Sequence, residues 1–225
     1  MTLSLERIGS FTSETGAEIA AFDKDRSLLY VVSGETVLQV LDLSDPTAPS
    51  EVVSIDLADF GVPTAGANSI AYKNGLLAIA LENETVTDPG AVALVNLAEV
   101  TSLEEAASAV KAFTVGALPD MVTFTPDGSK VLVANEGEPD EGVDPDGSVS
   151  IIDISGEFES LGLENVSTAD FLRFYGREAD LRADGVRIFP DATGAQDVVP
   201  EYIAVSPDGT KAFVTLQENN AIAVV

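Results

Sequence analysis

Acidic residues and amides recur at four matching places along the chain, and oxygen coordination is the chemistry they could do. Glu18, Asn68, Asp120 and Glu201 each open a short apolar run. A second run then ends in Ser33-Gly34-Glu35, Glu82-Asn83, Asn135-Glu136-Gly137-Glu138 or Gln217-Glu218-Asn219. Hard cations such as Ca²⁺ and Mg²⁺ take several carboxylate and carbonyl oxygens and need neither His nor Cys. The sequence contains neither, which removes disulfides, thiol nucleophiles, zinc sites of the Cys/His kind and every His-based proton relay. The candidate metal ligands are Asn135, Glu136, Glu138, Glu201 and Glu218, with Asp120 and Glu82 behind them. The same residues also read as a solvated acidic rim, which salt would screen.

The densest acidic stretch runs from Glu136 to Ser148 and includes Asp144, Asp146 and Gly147. As an EF-hand it fails, because the first ligand position is Gly142 and the twelfth is Asp153 rather than Glu. A loop that wraps a hard cation and a solvated acidic turn both fit it. Nucleophile signals are weak: there is no G-x-S-x-G elbow and no His base to partner a hydroxyl. Ser148 and Ser206 sit where strand starts and turns use small polar residues. Arg173, Arg177, Arg182 and Arg187 gather scarce positive charge in one region, for salt bridges or for gripping an anion.

These residues must be positioned by strands. With 38 Asp and Glu against 11 Lys and Arg, the 225-residue chain carries a formal charge of −27, a poor partner for nucleic acid or anionic lipid. No apolar run has membrane-span length, and the start lacks the basic and apolar regions of a signal peptide. Each polar opener leads an apolar run, a turn (Asp23-Lys-Asp25, Lys73-Asn-Gly75, Pro126-Asp-Gly128, Pro207-Asp-Gly209) and two further runs. The openers are spaced by 50, 52 and 81 residues. Short β-branched runs with such turns at a period near fifty predict an all-β fold, a β-propeller of four-stranded antiparallel blades.

About four blades are expected in an incomplete ring, forming a single, partial propeller domain over residues 1–225. Approximate repeats are 15–64, 65–116, 117–190 and a truncated 199–225, with 1–14 as an N-terminal strand centred on Leu3 to Ile8. That strand could complete the fourth blade and close a small ring, or the chain could be part of a larger ring. Fourth strands are expected at Glu51–Ile55, Val110–Val115 and Val186–Phe189. Thr101-Ser-Leu-Glu104 fits a capping box for a short helix over 102–108. Residues 157–185 read as an insertion of one or two short helices. In a propeller the openers and the second-strand exits share one face, so the acidic residues converge on one channel mouth, and the Asp-Gly turns lie on the opposite face.

The sequence resembles the choice-of-anchor I family of bacterial β-propeller proteins. The matching stretches include Gly116-Ala-Leu-Pro-Asp-Met-Val-Thr-Phe-Thr-Pro-Asp-Gly128, Val131-Leu-Val-Ala-Asn-Glu-Gly-Glu-Pro139 and Val214-Thr-Leu-Gln-Glu-Asn-Asn-Ala221. The resemblance implies a secreted or cell-surface protein, attached in many members by varied C-terminal anchors, and a chain longer than this one. It leaves two functions open. One is a surface binding or interaction module with an acidic mouth that holds Ca²⁺ or another hard divalent cation. The other is a phosphatase-like or phytase-like phosphoesterase, metal-dependent in its full-length form, with a phosphate ester as its partner.

Overall fold

The computed structural model describes residues 4–32, 36–98 and 102–225. The expected exit Ser33 to Glu35 and the capping residue Thr101 lie outside the described residues. The chain folds as four antiparallel sheets laid down in sequence. The first comprises β1 (Ile19–Asp23), β2 (Leu28–Val32), β3 (Val37–Asp42) and β4 (Ser50–Asp56), each paired to the next. The second comprises β5 (Gly66–Lys73), β6 (Leu76–Glu82), β7 (Pro89–Asn96) and β8 (Val110–Ala117). The third comprises β9 (Pro119–Phe124), β10 (Lys130–Asn135), β11 (Ser148–Asp153) and β12 (Val166–Asp170). The fourth has three strands, β13 (Pro200–Val205), β14 (Ala212–Leu216) and β15 (Ala221–Val224).

This is the expected propeller arrangement, left open. Inner strands β1, β5, β9 and β13 pack against one another in that order. No contact of similar extent joins β13 back to β1 among the described residues, so the closed four-bladed ring does not form.

Blade sequence explains blade stacking. Alternate residues of each strand point to opposite faces, and here both faces are apolar because each must meet a neighbour. Tyr30, Val32, Leu38 and Val40 of the first blade pack on Leu77, Ile79 and Val95 of the second. The opposite face of the second blade, with Ala78, Val92 and Phe113, packs on Val131, Val133 and Ile152 of the third. Met121, Leu132 and Val149 then pack on Ile203 and Val214 of the fourth. Burying one such side chain contributes about 1.5–3 kcal/mol.

Three expectations are corrected. The fourth strand of the third blade is Val166–Asp170, paired to β11, and not Val186 to Phe189. Ser167 and Thr168, within the stretch expected to hold short helices, lie exposed inside that strand, while Val166 and Ala169 are half-buried on its two faces, Val166 with the cluster shared with the second blade and Ala169 with that shared with the fourth. Residues 4–14 form no strand, and Leu5 is 93% exposed; Leu3, at the start of the expected strand, lies outside the described residues. Within the insertion, 3-10 turns at Phe158–Ser160, Leu163–Asn165 and Leu172–Phe174 accompany one short helix, α1 (Glu178–Ala183). The helix expected over 102–108 is a 3-10 segment, Leu103–Ala109, and Ser102 makes no side-chain capping bond.

Candidate functional site

The openers are placed by a repeated irregularity of the sheets. In β5, Ala67 pairs with Leu81 and Ser69 with Ala80, which leaves Asn68 as the extra residue of a bulge. In β9, Pro119 pairs with Asn135 and Met121 with Ala134, leaving Asp120 extra. In β13, Pro200 pairs with Leu216 and Tyr202 with Thr215, leaving Glu201 extra. A bulge re-aims the side chain of its unpaired residue. The first blade reaches the same place without one, Glu18 N donating to Val32 O at 3.0 Å just before β1.

Glu136 follows β10 and is fixed by its backbone. Its N–H donates to Leu118 O at 2.9 Å, and Gly137 N–H to Ala117 O at 3.2 Å. Both acceptors lie in the crossing from the second blade to the third, where Leu118 takes a left-handed φ of 48°. Gly137 also has a left-handed φ, 68°, at a place where a Cβ would meet the Asp146 backbone at 2.9 Å.

The result is a crowd of carboxylates from three blades. Burial, then Asp120, Glu138 and Glu201, push the Glu136 carboxyl up to about 8. Asp120 is also raised, by burial and then by Glu18 and Glu138. Glu201 is raised by burial and then by Asp120, Glu218 and Glu138. Like charges that share a partly dehydrated space favour the protonated acid.

The other expected ligands are placed as follows. Glu82 accepts from Asn68 Nδ2 at 3.4 Å, and the same amide donates to Pro119 O at 3.3 Å, so this pair bridges the second and third blades. Gln217 Nε2 donates to Glu201 Oε1 at 3.0 Å. Glu218 is beside Glu201 in charge but holds Arg187 in an ion pair. Asn135 does not join the acids. It is fully buried, and its Nδ2 donates to Ser148 Oγ at 3.1 Å and Ser150 Oγ at 2.9 Å within the third blade. Asn219 also turns inward, accepting from Val199 N at 3.0 Å and donating to Arg187 O at 2.8 Å. Among the described residues, no three acidic side chains are close enough to hold a metal ion as they stand.

The acidic loop that follows is tied to the insertion. Tyr175 OH donates to Asp146 Oδ1 at 2.8 Å, Gln196 Nε2 to Asp144 O at 2.9 Å, and Gly147 N to Ala195 O at 3.1 Å. Burial and then Asp197 and Asp146 raise the Asp144 carboxyl. Tyr175, Gln196 and Asp197 gave no sequence signal, because they come from a region without a repeat counterpart.

The remaining polar residues are structural. Asp127 and Asp208 accept from the neighbouring hydroxyls and amides of their own turns, at the strand ends away from Asp120 and Glu201. Ser206 serves such a turn and Ser148 accepts from Asn135. Of the arginines, Arg187 pairs with Glu218 and Arg177 with Asp180. Arg182 donates to the Ile188 and Phe189 carbonyls, and Arg173 lies over the Phe174 ring at 4.7 Å.

A family profile described as choice-of-anchor I domain matches residues 18–225. No curated protein matches the chain. Among solved structures, the chain resembles one in "Crystal Structure of Mitotic Checkpoint Complex" (TM-score 0.48, 16% identity, 91% of this chain and 47% of that one). It also resembles a chain of Kuenenia stuttgartiensis hydrazine synthase (TM-score 0.47, 16% identity, 89% of this chain and 62% of that one). The chain therefore spans less than two thirds of either, and likenesses this distant carry nothing about function.

Proposed function

The chain belongs to the choice-of-anchor I domain family, a surface-associated module at the family level, and from that premise we propose that its acidic mouth is a cation-binding element of a secreted or cell-surface interaction module. The observation that carries the proposal is that the bulges of the third and fourth blades and the loop after β10 bring Asp120, Glu201, Glu136 and Glu138 to one mouth, where burial first and these neighbouring acids second raise the Glu136 carboxyl to about 8. Carboxylates held this way repel one another, and a hard divalent cation relieves that repulsion with ligands of the right kind.

Asp120, Glu136, Glu138 and Glu201 would hold the ion, with Glu18 and Glu218 adding to the field. The described side chains are not yet a closed cage, so binding turns the Glu136 and Glu138 side chains inward from a loop whose backbone is already fixed at Glu136 and Gly137. Ca²⁺ suits this better than Mg²⁺, because it accepts irregular, higher-coordinate oxygen sets. The ion stiffens the mouth, and the ligand of the module meets a surface whose charge the ion has reduced.

Calorimetric melts of the chain in EDTA and across a Ca²⁺ titration test the proposal. An ion bound only by the folded state, at about a hundred times its Kd, adds roughly 2.7 kcal/mol. For a domain of this size that raises Tm by about 5–10 °C. A cooperative melt that ignores Ca²⁺ would make the mouth a solvated rim.

A further inference from the structure

The first blade puts a charge where the third and fourth blades put a hydroxyl. Phe22 pairs with Leu29, as Phe124 pairs with Val131 and Val205 with Ala212, so Asp23, Thr125 and Ser206 are the equivalent residues that follow. Thr125 and Ser206 each donate to the aspartate of their own turn, Asp127 or Asp208. Asp23 closes its turn with one oxygen alone: Oδ1 accepts from Asp25 N at 2.9 Å and from Arg26 N at 3.2 Å. The other oxygen, Oδ2, has no hydrogen-bond partner among the described residues, although Asp23 is fully buried.

A second orphan belongs to the same joint between the first and second blades. Tyr30 is fully buried as well, and its hydroxyl has no hydrogen-bond partner among the described residues. Its ring stacks on Tyr72 of the second blade with centroids 5.9 Å apart, and the Tyr72 hydroxyl accepts from Gly75 N at 3.1 Å. Arg26 crosses the same joint. Its Nη2 donates to Leu97 O at 3.0 Å, and its Nη1 stops 3.9 Å from Asp23 Oδ2. That gap is too long for a hydrogen bond and suits a bridging water. Burial first and the Asp23 charge second push the Tyr30 hydroxyl up to about 12, while Arg26 pulls it down. Tyr72 is also raised, by burial and then by Asp23.

The two orphans are complementary. A phenol can donate and an ionised carboxylate only accepts, yet the two atoms do not meet each other. Leaving both unpaired in a core is costly. The missing partner must accept from one and donate to the other. A cation would face Arg26 and an anion would face Asp23, whereas water does both.

We infer that a single buried water is a fixed part of this joint, accepting from the Tyr30 hydroxyl and from Arg26 and donating to Asp23 Oδ2. About three such bonds are usual for a buried water. It seals the first two blades at the end of β1 away from Glu18 and the acidic mouth. The turns of the third and fourth blades do without it, because Thr125 and Ser206 find their acceptors within the turn.

Nuclear relaxation dispersion of water oxygen in solutions of the full chain, which counts waters held longer than the protein takes to tumble, tests this together with thermal melts. Tyr30→Phe removes one oxygen and keeps the ring that stacks on Tyr72. It should hold one long-lived water fewer than the wild-type chain and melt about 2–4 °C lower. An equal count in the two proteins overturns the inference, and with a lowered Tm it means that Tyr30 bonds Asp23 directly. A Tm at or above the wild-type value overturns it too, because losing a hydroxyl that has no partner costs nothing. If Tyr30→Phe loses its cooperative melt, Asp23→Thr takes its place, giving the first blade the turn residue of the third. The same water should be missing there, and an unchanged count overturns the inference.

Discussion

Asp120 and Glu201 hold the same place in successive blades, each the unpaired residue of a bulge at the start of the inner strand. Each follows a proline that opens its strand, Pro119 or Pro200. Each is raised above the ordinary carboxylate value by burial first and by neighbouring acids second, with Glu138 common to both. The recurrence places charge where the ladder is interrupted at a single residue, so pairing resumes on either side while acids from several blades meet.

The first prediction concerns pH. A carboxyl raised in the folded state favours folding while it is protonated, and that advantage is lost as pH rises. For Glu136 the loss runs from its ordinary value of 4.5 up to about 8, and Asp120 and Glu201 act in the same direction. Asp127 acts oppositely but is finished earlier, because its turn bonds lower it to about 2 and its contribution is lost only below 3.8. The unfolding free energy from urea melts in EDTA should therefore fall from about pH 5 to pH 8, by on the order of 1–2 kcal/mol after solvent screening. Glu136→Gln should flatten the slope. A wild-type stability that rises over the same window contradicts the assignment.

The second concerns the segment that runs from the insertion into the fourth blade. Asn219 is fully buried, and its amide takes one bond and gives two, to Val199 N, Arg187 O and Asp197 O. It fastens the 187–199 segment to the turn between β14 and β15. Asn219→Ala leaves those backbone groups without a partner, at a cost of about 1–3 kcal/mol. Tm should fall by roughly 3–10 °C. Amide exchange at Val199 should quicken more than exchange in β6, and equal protection at the two places would sink the idea.

The third concerns the acidic loop. A Cβ on Gly147 would lie 2.0 Å from Val198 O and 2.9 Å from Pro200 Cδ, so backbone has to move. Gly147→Ala should cost more than about 2 kcal/mol. Gly142→Ala meets nothing within 4 Å and pays only for its φ of +85°, about 1–2 kcal/mol. Equal urea midpoints for the two variants would show that the loop does not pack on Val198 as described.

Much of the fold was legible because repeats compare one stretch with another. The four openers, the Asp-Gly turns and the apolar runs align with one another, and the first twelve β-strands differ from expectation at a single one, β12. That strand carries no period-2 signal, because its two half-buried residues, Val166 and Ala169, lie on opposite faces with the exposed Ser167 and Thr168 between them, and Ser-Thr before an apolar stretch also starts helices. The N-terminal segment is not a strand although Leu5 and Ile8 are apolar, because short apolar spacing alone does not supply a strand partner, and both side chains are exposed. Of the site, residue type and blade position were legible for Asp120, Glu136 and Glu201. The bulges were not, since one extra residue in a strand has no signature of composition. Nor was the inward turn of Asn135 and Asn219, because an amide suits a buried network and an open mouth equally well.

The central claim is that the acids of the mouth act together on a cation. Isothermal titration of Ca²⁺ into the metal-free chain at pH 7.5 to 8.5, about where Glu136 ionises, tests it most directly. One saturable site is expected, weakened at least about tenfold by the paired substitution Asp120→Asn and Glu136→Gln, a loss of about 1.4 kcal/mol or more. No saturable heat, or the same isotherm from the folded double variant, would contradict it.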